Sequence, residues 1–477
     1  MPTSGQAGAA AATPAPCLAD VASVTPRAWP TRLPRRLVAG AGAILPGVTI
    51  PAPTLFDRTL PNGLRVVVEP MPWLATVSLS LLLPIGAAND PDDGIGTAAL
   101  LSEWLQRGAG GRDARAQAAA LDALGVRRGG GVGRETLSLS AAFLGRDAAA
   151  VLPLLADVVK APGLADDSFE NVRALALQDL AAALDTPAQR AGEALIAAYF
   201  ASPHGRSAYG VQDHLEALSA AAVRHDAQAR LGPGGAVLAV AGGLDPESFM
   251  ALLEAHFGVW QGPSRALPAP RRQPPHASSV EAESAQVQIG MATPLVGPGE
   301  PGWYPQQLAL AVLDGNMGAR LFSEVREKRG LVYGVSAGTR VVRGHAYLAA
   351  RAATTPERAA ETLEVVASEI RRLRDGVERD EFERASVQLR ASLVMSGEAS
   401  GARASRLASD VLHLGRPRGL AEVDQALAGL SLEDVNEHLA TSAEPSFTTV
   451  TLGPVALSEA GDGSAVPATS VPAEAHA

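Results

Sequence analysis

Cysteine is all but missing from this chain: Cys17 stands alone among 477 residues. That excludes a disulfide framework and any cysteine-built zinc site. Lysine is almost as scarce, with only Lys160 and Lys328 beside abundant arginine, a bias that fits a GC-rich bacterial genome. Lys plus Arg total 40 against 50 for Asp plus Glu, a net charge of -10, so there is no basic domain for nucleic acid. No apolar run reaches the roughly 18 residues that a membrane-spanning helix needs. Histidine is absent from the first 203 residues, and no two of the nine histidines are spaced four apart. The N-terminus has no early basic segment, and Arg35-Arg36 precede only a short, glycine-containing apolar stretch ending at Leu45. A cytoplasmic location is therefore expected, with the periplasm left open.

What is present falls into two similar halves. Residues 1–52 are rich in Ala, Pro and Gly, a composition that packs poorly, and are expected as a disordered or loosely docked arm. After Asn62-Gly63, Leu64, Val66 and Val68 alternate with their neighbours, as do Val77, Leu79 and Leu81, and later Leu137, Leu139 and Phe143. Each pattern predicts a half-buried strand. Helical spacing covers about 96–107, 112–124, 147–160, 168–184 and 189–201, with shorter helices to about 231 and a strand over 237–241. Residues 262–280, with five prolines up to residue 279, are expected as a linker. Beyond it Val287, Ile289 and Met291 match Val77, Leu79 and Leu81 at an offset of 210. Phe382-Glu383 matches Phe169-Glu170 at 213, and a closing strand matches 237–241 at 211. The fold class expected is α+β: two duplicated domains, 53–261 and 281–457, each a mostly antiparallel sheet with helices packed on one face, and a disordered tail over 458–477.

The richest stretch is 316–335, Asn-Met-Gly-Ala-Arg-Leu-Phe-Ser-Glu-Val-Arg-Glu-Lys-Arg-Gly-Leu-Val-Tyr-Gly-Val. Leu321, Phe322 and Val325 have helical spacing, Lys328 and Arg329 suit a helix C-terminus, and Gly330 supplies a left-handed stop. A strand is expected from Leu331. Arg326 then lies on the last helical turn and Tyr333 at the start of the strand, so that two hydrogen-bond donors converge.

Together with the run Gly94-Ile-Gly-Thr-Ala-Ala-Leu-Leu-Ser-Glu103 and the helix opened by Phe169-Glu170, this stretch resembles the pitrilysin/insulinase family of zinc metallopeptidases, over about residues 54–457. The resemblance implies a zinc motif H-x-x-E-H on the first helix, whose two histidines hold the metal while the glutamate acts as base. Here Ala99 and Glu103 stand at the histidine positions and Ser102 at the base, while Asp179 takes the place of the family's acidic third ligand. Ala99 has no lone pair, and Ser102 is no base near neutral pH. The chain is therefore expected to hold no metal or other cofactor and to be inactive alone. A weak hard-cation site at Glu103 and Asp179, with autonomous hydrolysis, is a lesser alternative.

The second motif, R-E-K-R-G-L-x-Y, is complete. The resemblance implies that Arg326 and Tyr333 donate hydrogen bonds to the carbonyl or oxyanion of a substrate bound at the zinc of a facing domain. The alternative is that Arg326 pairs with a neighbour such as Glu327 while Tyr333 fills the core. The glycine run 129–133 lacks the Lys-Ser/Thr of a phosphate loop and precedes a strand. It reads either as a plain tight turn or as a turn before a substrate-binding edge strand at Thr136, Leu137 and Ser138, since the family holds extended peptide by adding it to such an edge.

These readings predict the zinc-free subunit of a heterodimeric metalloendopeptidase. Its partner would be a homologous subunit bearing H-x-x-E-H and the zinc, and the pair would hydrolyse peptides or small unfolded proteins only as a complex. The alternative is a non-enzymatic structural or interaction subunit, resembling the core proteins of respiratory complexes.

Overall fold

The computed structural model describes residues 54–454; the expected N-terminal arm and C-terminal tail lie outside them. The strands are β1 (Phe56–Thr59), β2 (Arg65–Pro70), β3 (Thr76–Leu83), a small β4–β5 hairpin (Gly108–Ala109, Arg112–Asp113), β6 (Arg127–Val132), β7 (Leu137–Leu144) and β8 (Val237–Gly242). In the second half they are β9 (Ala277–Glu281), β10 (Val287–Leu295), β11 (Gly334–Val342), β12 (His345–Thr354) and β13 (Thr448–Gly453). One sheet has the order β1-β2-β8-β3-β7-β6 and the other β11-β12-β10-β13-β9. Read from opposite ends they are the same arrangement, with β1 added to the first. Pairing is antiparallel except for β2 with β8 and β9 with β13. Thr76 and Val287 open equivalent strands 211 positions apart, and so do Val237 and Thr448.

The period-two patterns set which face each strand buries. Val77, Leu79, Leu81 and Leu83 point into a core shared with Trp104, Phe169, Phe249 and Phe257. Val287, Ile289 and Met291 point into the equivalent second core with Leu308, Leu321 and Val325. Each half thus packs its own helices on one face of its sheet.

The opposite faces are closed by an exchange of helices. Helix Pro187–Tyr199 of the first half lies on the second sheet, where Leu195, Ile196 and Tyr199 pack on Ala292, Tyr347, Ala349 and Val450. Helix Ser400–Leu414 of the second half lies on the first sheet, where Leu407, Ala408 and Val411 pack on Val67, Val237 and Ala239. The two helices begin 213 positions apart, so they are one element of the repeat used reciprocally. Gly290 permits the close approach, because a Cβ there would stand 3.3 Å from Leu195 Cδ2. Covered on both faces, β8 and β13 are buried along their whole length, and this is why β8, Val-Leu-Ala-Val-Ala-Gly, is apolar at every position.

The stretch expected as a linker differs in its last part. Residues 277–280 belong to β9, which pairs with β13 in parallel. Ala-Ser-Ser-Val carries little hydrophobic signal, and the pairing rather than propensity makes it a strand. No helix among the described residues is long and apolar enough to cross a membrane.

Candidate functional site

The backbone at the second motif makes a π-helical turn, Phe322–Lys328, with Arg329 as its C-cap. Such turns recur at functional sites because the wider spacing re-aims side chains. Gly330 adopts φ +59°, and the Gly330 and Leu331 amides donate back to Arg326 O (3.1 Å) and Val325 O (3.0 Å). Leu331 and Val332 are both buried, and Thr354 Oγ1 donates to Leu331 O at 2.6 Å. Strand β11 therefore starts at Gly334, three residues later than the alternation suggested, because two consecutive core residues break the period.

Tyr333 emerges from this anchor 86% exposed. The Arg326 guanidinium carbon lies 5.2 Å from the Tyr333 ring centre and 4.9 Å from that of Phe322. Glu324 accepts from Lys328 and from Arg329, each at 2.6 Å, and these cations hold its carboxyl below the usual range. Arg326 is left with no ion pair or side-chain hydrogen bond to any described residue. Neither part of the alternative arrangement occurs: Glu327 does not pair with Arg326, and Tyr333 is not in the core. Two aromatic faces hold a planar guanidinium whose edge N–H groups stay free for an acceptor, beside a free phenol.

The degenerate metal motif lies on helix Thr97–Trp104. Asp90 caps that helix, accepting from Gly96 N (2.9 Å) and Ala98 N (3.0 Å), and is paired with Arg230 at 2.8 Å. Burial pushes the Asp90 carboxyl up despite that partner. Trp104 Nε1 donates to Ser168 Oγ at 3.0 Å and its ring lies 4.7 Å from Phe169, which clamps this helix to helix Asp166–Asp185. The scaffold that would bring ligands together is thus intact. Its chemistry is not: Ala99 has no donor atom, Ser102 is buried, and Glu103 pairs with Arg107 one turn on. Asp179 is exposed. Among the described residues no group of three His, Cys, Asp or Glu could hold a metal ion. This donor set does not fit zinc, for which histidine or thiolate supplies most ligands.

The edge strand is a correction. Thr136 precedes β7, while Leu137 and Ser138 lie in it, and β7 is interior, paired with β3 on one side and β6 on the other. The edge is β6 itself, so Gly129, Gly130 and Gly131 are strand residues rather than a turn. Gly130 has to be glycine, since a Cβ would fall 2.3 Å from Ser138 O. The run Arg-Arg-Gly-Gly-Gly-Val has Val132 as its one β-former, so its propensity signals a turn, and only its pairing with β7 makes it a strand. The equivalent edge β11 follows Tyr333 directly, but Asp314 Oδ2 already accepts from Ala337 N at 2.5 Å. Burial raises the Asp314 carboxyl, against the pull of that same amide. A groove of about 260 Å³ lies between helix Pro187–Tyr199 and strands β10, β11 and β12. No motif announces it, because its residues meet only through strand register.

The insulinase (peptidase family M16) model matches residues 65–211, and the model described as peptidase M16 inactive domain matches residues 217–389. An uncharacterized zinc protease of Mycobacterium tuberculosis is 31% identical over 398 residues, covering 81% of this chain and 90% of that protein. One from Bacillus subtilis is 24% identical, covering 79% and 92%. The crystal structure of a peptidase M16 inactive domain from Pseudomonas fluorescens superposes with a TM-score of 0.75 at 22% identity, covering 85% of this chain and 99% of that one. A protease from Helicobacter pylori gives 0.76 at 17%, covering 84% and 99%. At these identities the structural likeness concerns the fold.

Proposed function

This chain belongs to the insulinase family of peptidases, family M16, and from that premise we propose that it is the zinc-free subunit of a two-chain metalloendopeptidase. A partner of the same family carries H-x-x-E-H and the zinc. This chain contributes Arg326 and Tyr333, which donate to the scissile carbonyl oxygen as it gains negative charge. The observation that carries the reading is a contrast between two sites. At 326 and 333 an unpaired guanidinium and an exposed phenol lie within 5.2 Å of each other. At 99 and 102 neither side chain can bind a metal or act as a base near neutral pH, and the carboxylate at 103 is taken by Arg107. The edge β6, which ends its sheet and carries three consecutive glycines, suits an extended peptide held by backbone hydrogen bonds.

The test is to purify the chain alone and together with a co-expressed homologue bearing H-x-x-E-H, ideally from a neighbouring reading frame, and to measure metal content and peptide hydrolysis. The expected result is no stoichiometric zinc and no turnover from the chain alone, with turnover from the complex. Zinc and turnover from the chain alone overturn the proposal. A non-catalytic structural or interaction subunit gives a stable complex whose turnover does not depend on Arg326.

A further inference from the structure

We propose that the groove beside Tyr333 is a carboxylate-binding subsite that selects peptides with an acidic side chain; the inference rests on the peptide-handling role above. Strand register sets one row of the inward face of the second sheet as Gly290, Arg351 and Ser336, abreast on β10, β12 and β11. The next row on the same face is Gln288, Ala353 and Gly334. One charged side chain therefore rises from a floor of small or neutral residues. The wall is helix Pro187–Tyr199, and at Gly192 a Cβ would stand 3.0 Å from Arg351 Nη2. The missing side chain lets the guanidinium lie across the helix into the groove.

Arg351 is exposed and has no acceptor among the described residues. Arg134 nearby pairs with Glu193 at 2.7 Å. Arg340, on the same face of β11, makes only a 3.4 Å contact to its neighbour's carbonyl, Thr339 O. Two unmatched guanidinium groups on one inward face, in a chain of net charge -10, suit an anion brought by a ligand. The planar fork of arginine fits a carboxylate with two parallel hydrogen bonds. The location names the source: Gly334 lines the groove and directly follows Tyr333, so a peptide whose carbonyl meets Tyr333 passes over Arg351. Arg340 lies four positions along β11 from Ser336, about 13 Å away. A second acidic residue four positions from the first meets it.

The test uses the purified chain and fluorescent extended peptides with amidated C-termini, one containing Glu and one with Gln in its place. The Glu peptide is expected to bind about 10-fold tighter and to lose that advantage at high salt. Arg351→Gln should bring it to the affinity of the Gln peptide without changing the latter, while Arg351→Lys keeps part of the preference; melting curves check that both variants fold. Equal binding of the two peptides by the wild-type chain, or a preference that survives Arg351→Gln, overturns the subsite and leaves the peptide-handling role standing. Binding of neither peptide overturns both. A Gln peptide with a free C-terminus that binds as tightly as the amidated Glu peptide shows that Arg351 reads the terminal carboxylate, which overturns side-chain selection.

Discussion

Arg403 on the exchanged helix of the second half donates through Nε to Glu69 Oε2 of β2 at 2.9 Å, 334 positions away in the chain. Both side chains are buried, at 1% and 3% exposure, so neither finds water if the other is removed. Arg403→Ala strands a buried carboxylate at the junction of the halves and is expected to cost about 3–5 kcal/mol. Replacing both residues with apolar ones of similar size should recover most of that loss. Urea denaturation of the single and double variants checks it; a single variant as stable as the wild type contradicts the exchange as a stabilising contact.

Acid should loosen the same junction. Burial lowers the pKa of His413, on the exchanged helix, and of His438. A histidine with a folded pKa below its unfolded value takes up protons on unfolding, so its stability contribution is complete above about pH 6.5. That contribution is lost as pH falls through the folded value. The melting temperature is expected to drop below about pH 6.5, and His413→Asn should flatten part of the drop. A wild-type profile that stays level or rises toward pH 5 contradicts the assignment.

The glycine edge should distinguish neighbouring positions. A Cβ at Gly130 meets Ser138 O at 2.3 Å, whereas one at Gly131 meets nothing within 4 Å. Gly130→Ala is therefore expected to destabilise by about 1–3 kcal/mol through a forced backbone shift. Gly131→Ala should be neutral or slightly stabilising, because it restricts the unfolded chain. Equal melting temperatures for the two variants would show that β6 does not pair with β7 in this register.

Tyr333→Phe keeps the ring against Arg326 and removes only the hydroxyl. Since the side chain is 86% exposed, melting should not change. In the complex with an H-x-x-E-H partner, kcat should fall by about 10²-fold, the scale of losing one oxyanion donor. A kcat equal to the wild type removes Tyr333 from the chemistry.

The strands were readable from the sequence where alternation was clean, as at Val77–Leu83 and Val287–Met291, because side-chain period decides burial. Pairing was not readable: β6 looks like a turn by composition, and its partner lies across a loop. The helix Pro187–Tyr199 was legible as a helix, but an amphipathic stripe does not state which sheet it covers, so the exchange and the Arg403–Glu69 pair were invisible. At the candidate site the convergence of Arg326 and Tyr333 followed from the helix stop at Gly330. The freedom of Arg326 did not, since it depends on Glu324 taking Lys328 and Arg329 instead. Arg351 belongs to no motif and becomes notable only when register sets it among Gly290, Ser336 and Gly192.

The most direct measurement is steady-state peptide hydrolysis by the co-purified pair with Arg326→Ala in this chain. Loss of a donor used only as charge develops should lower kcat by about 10²-fold or more, with KM little changed and the complex intact by gel filtration. Unchanged kcat in an intact complex contradicts the claim that this chain completes its partner's active site.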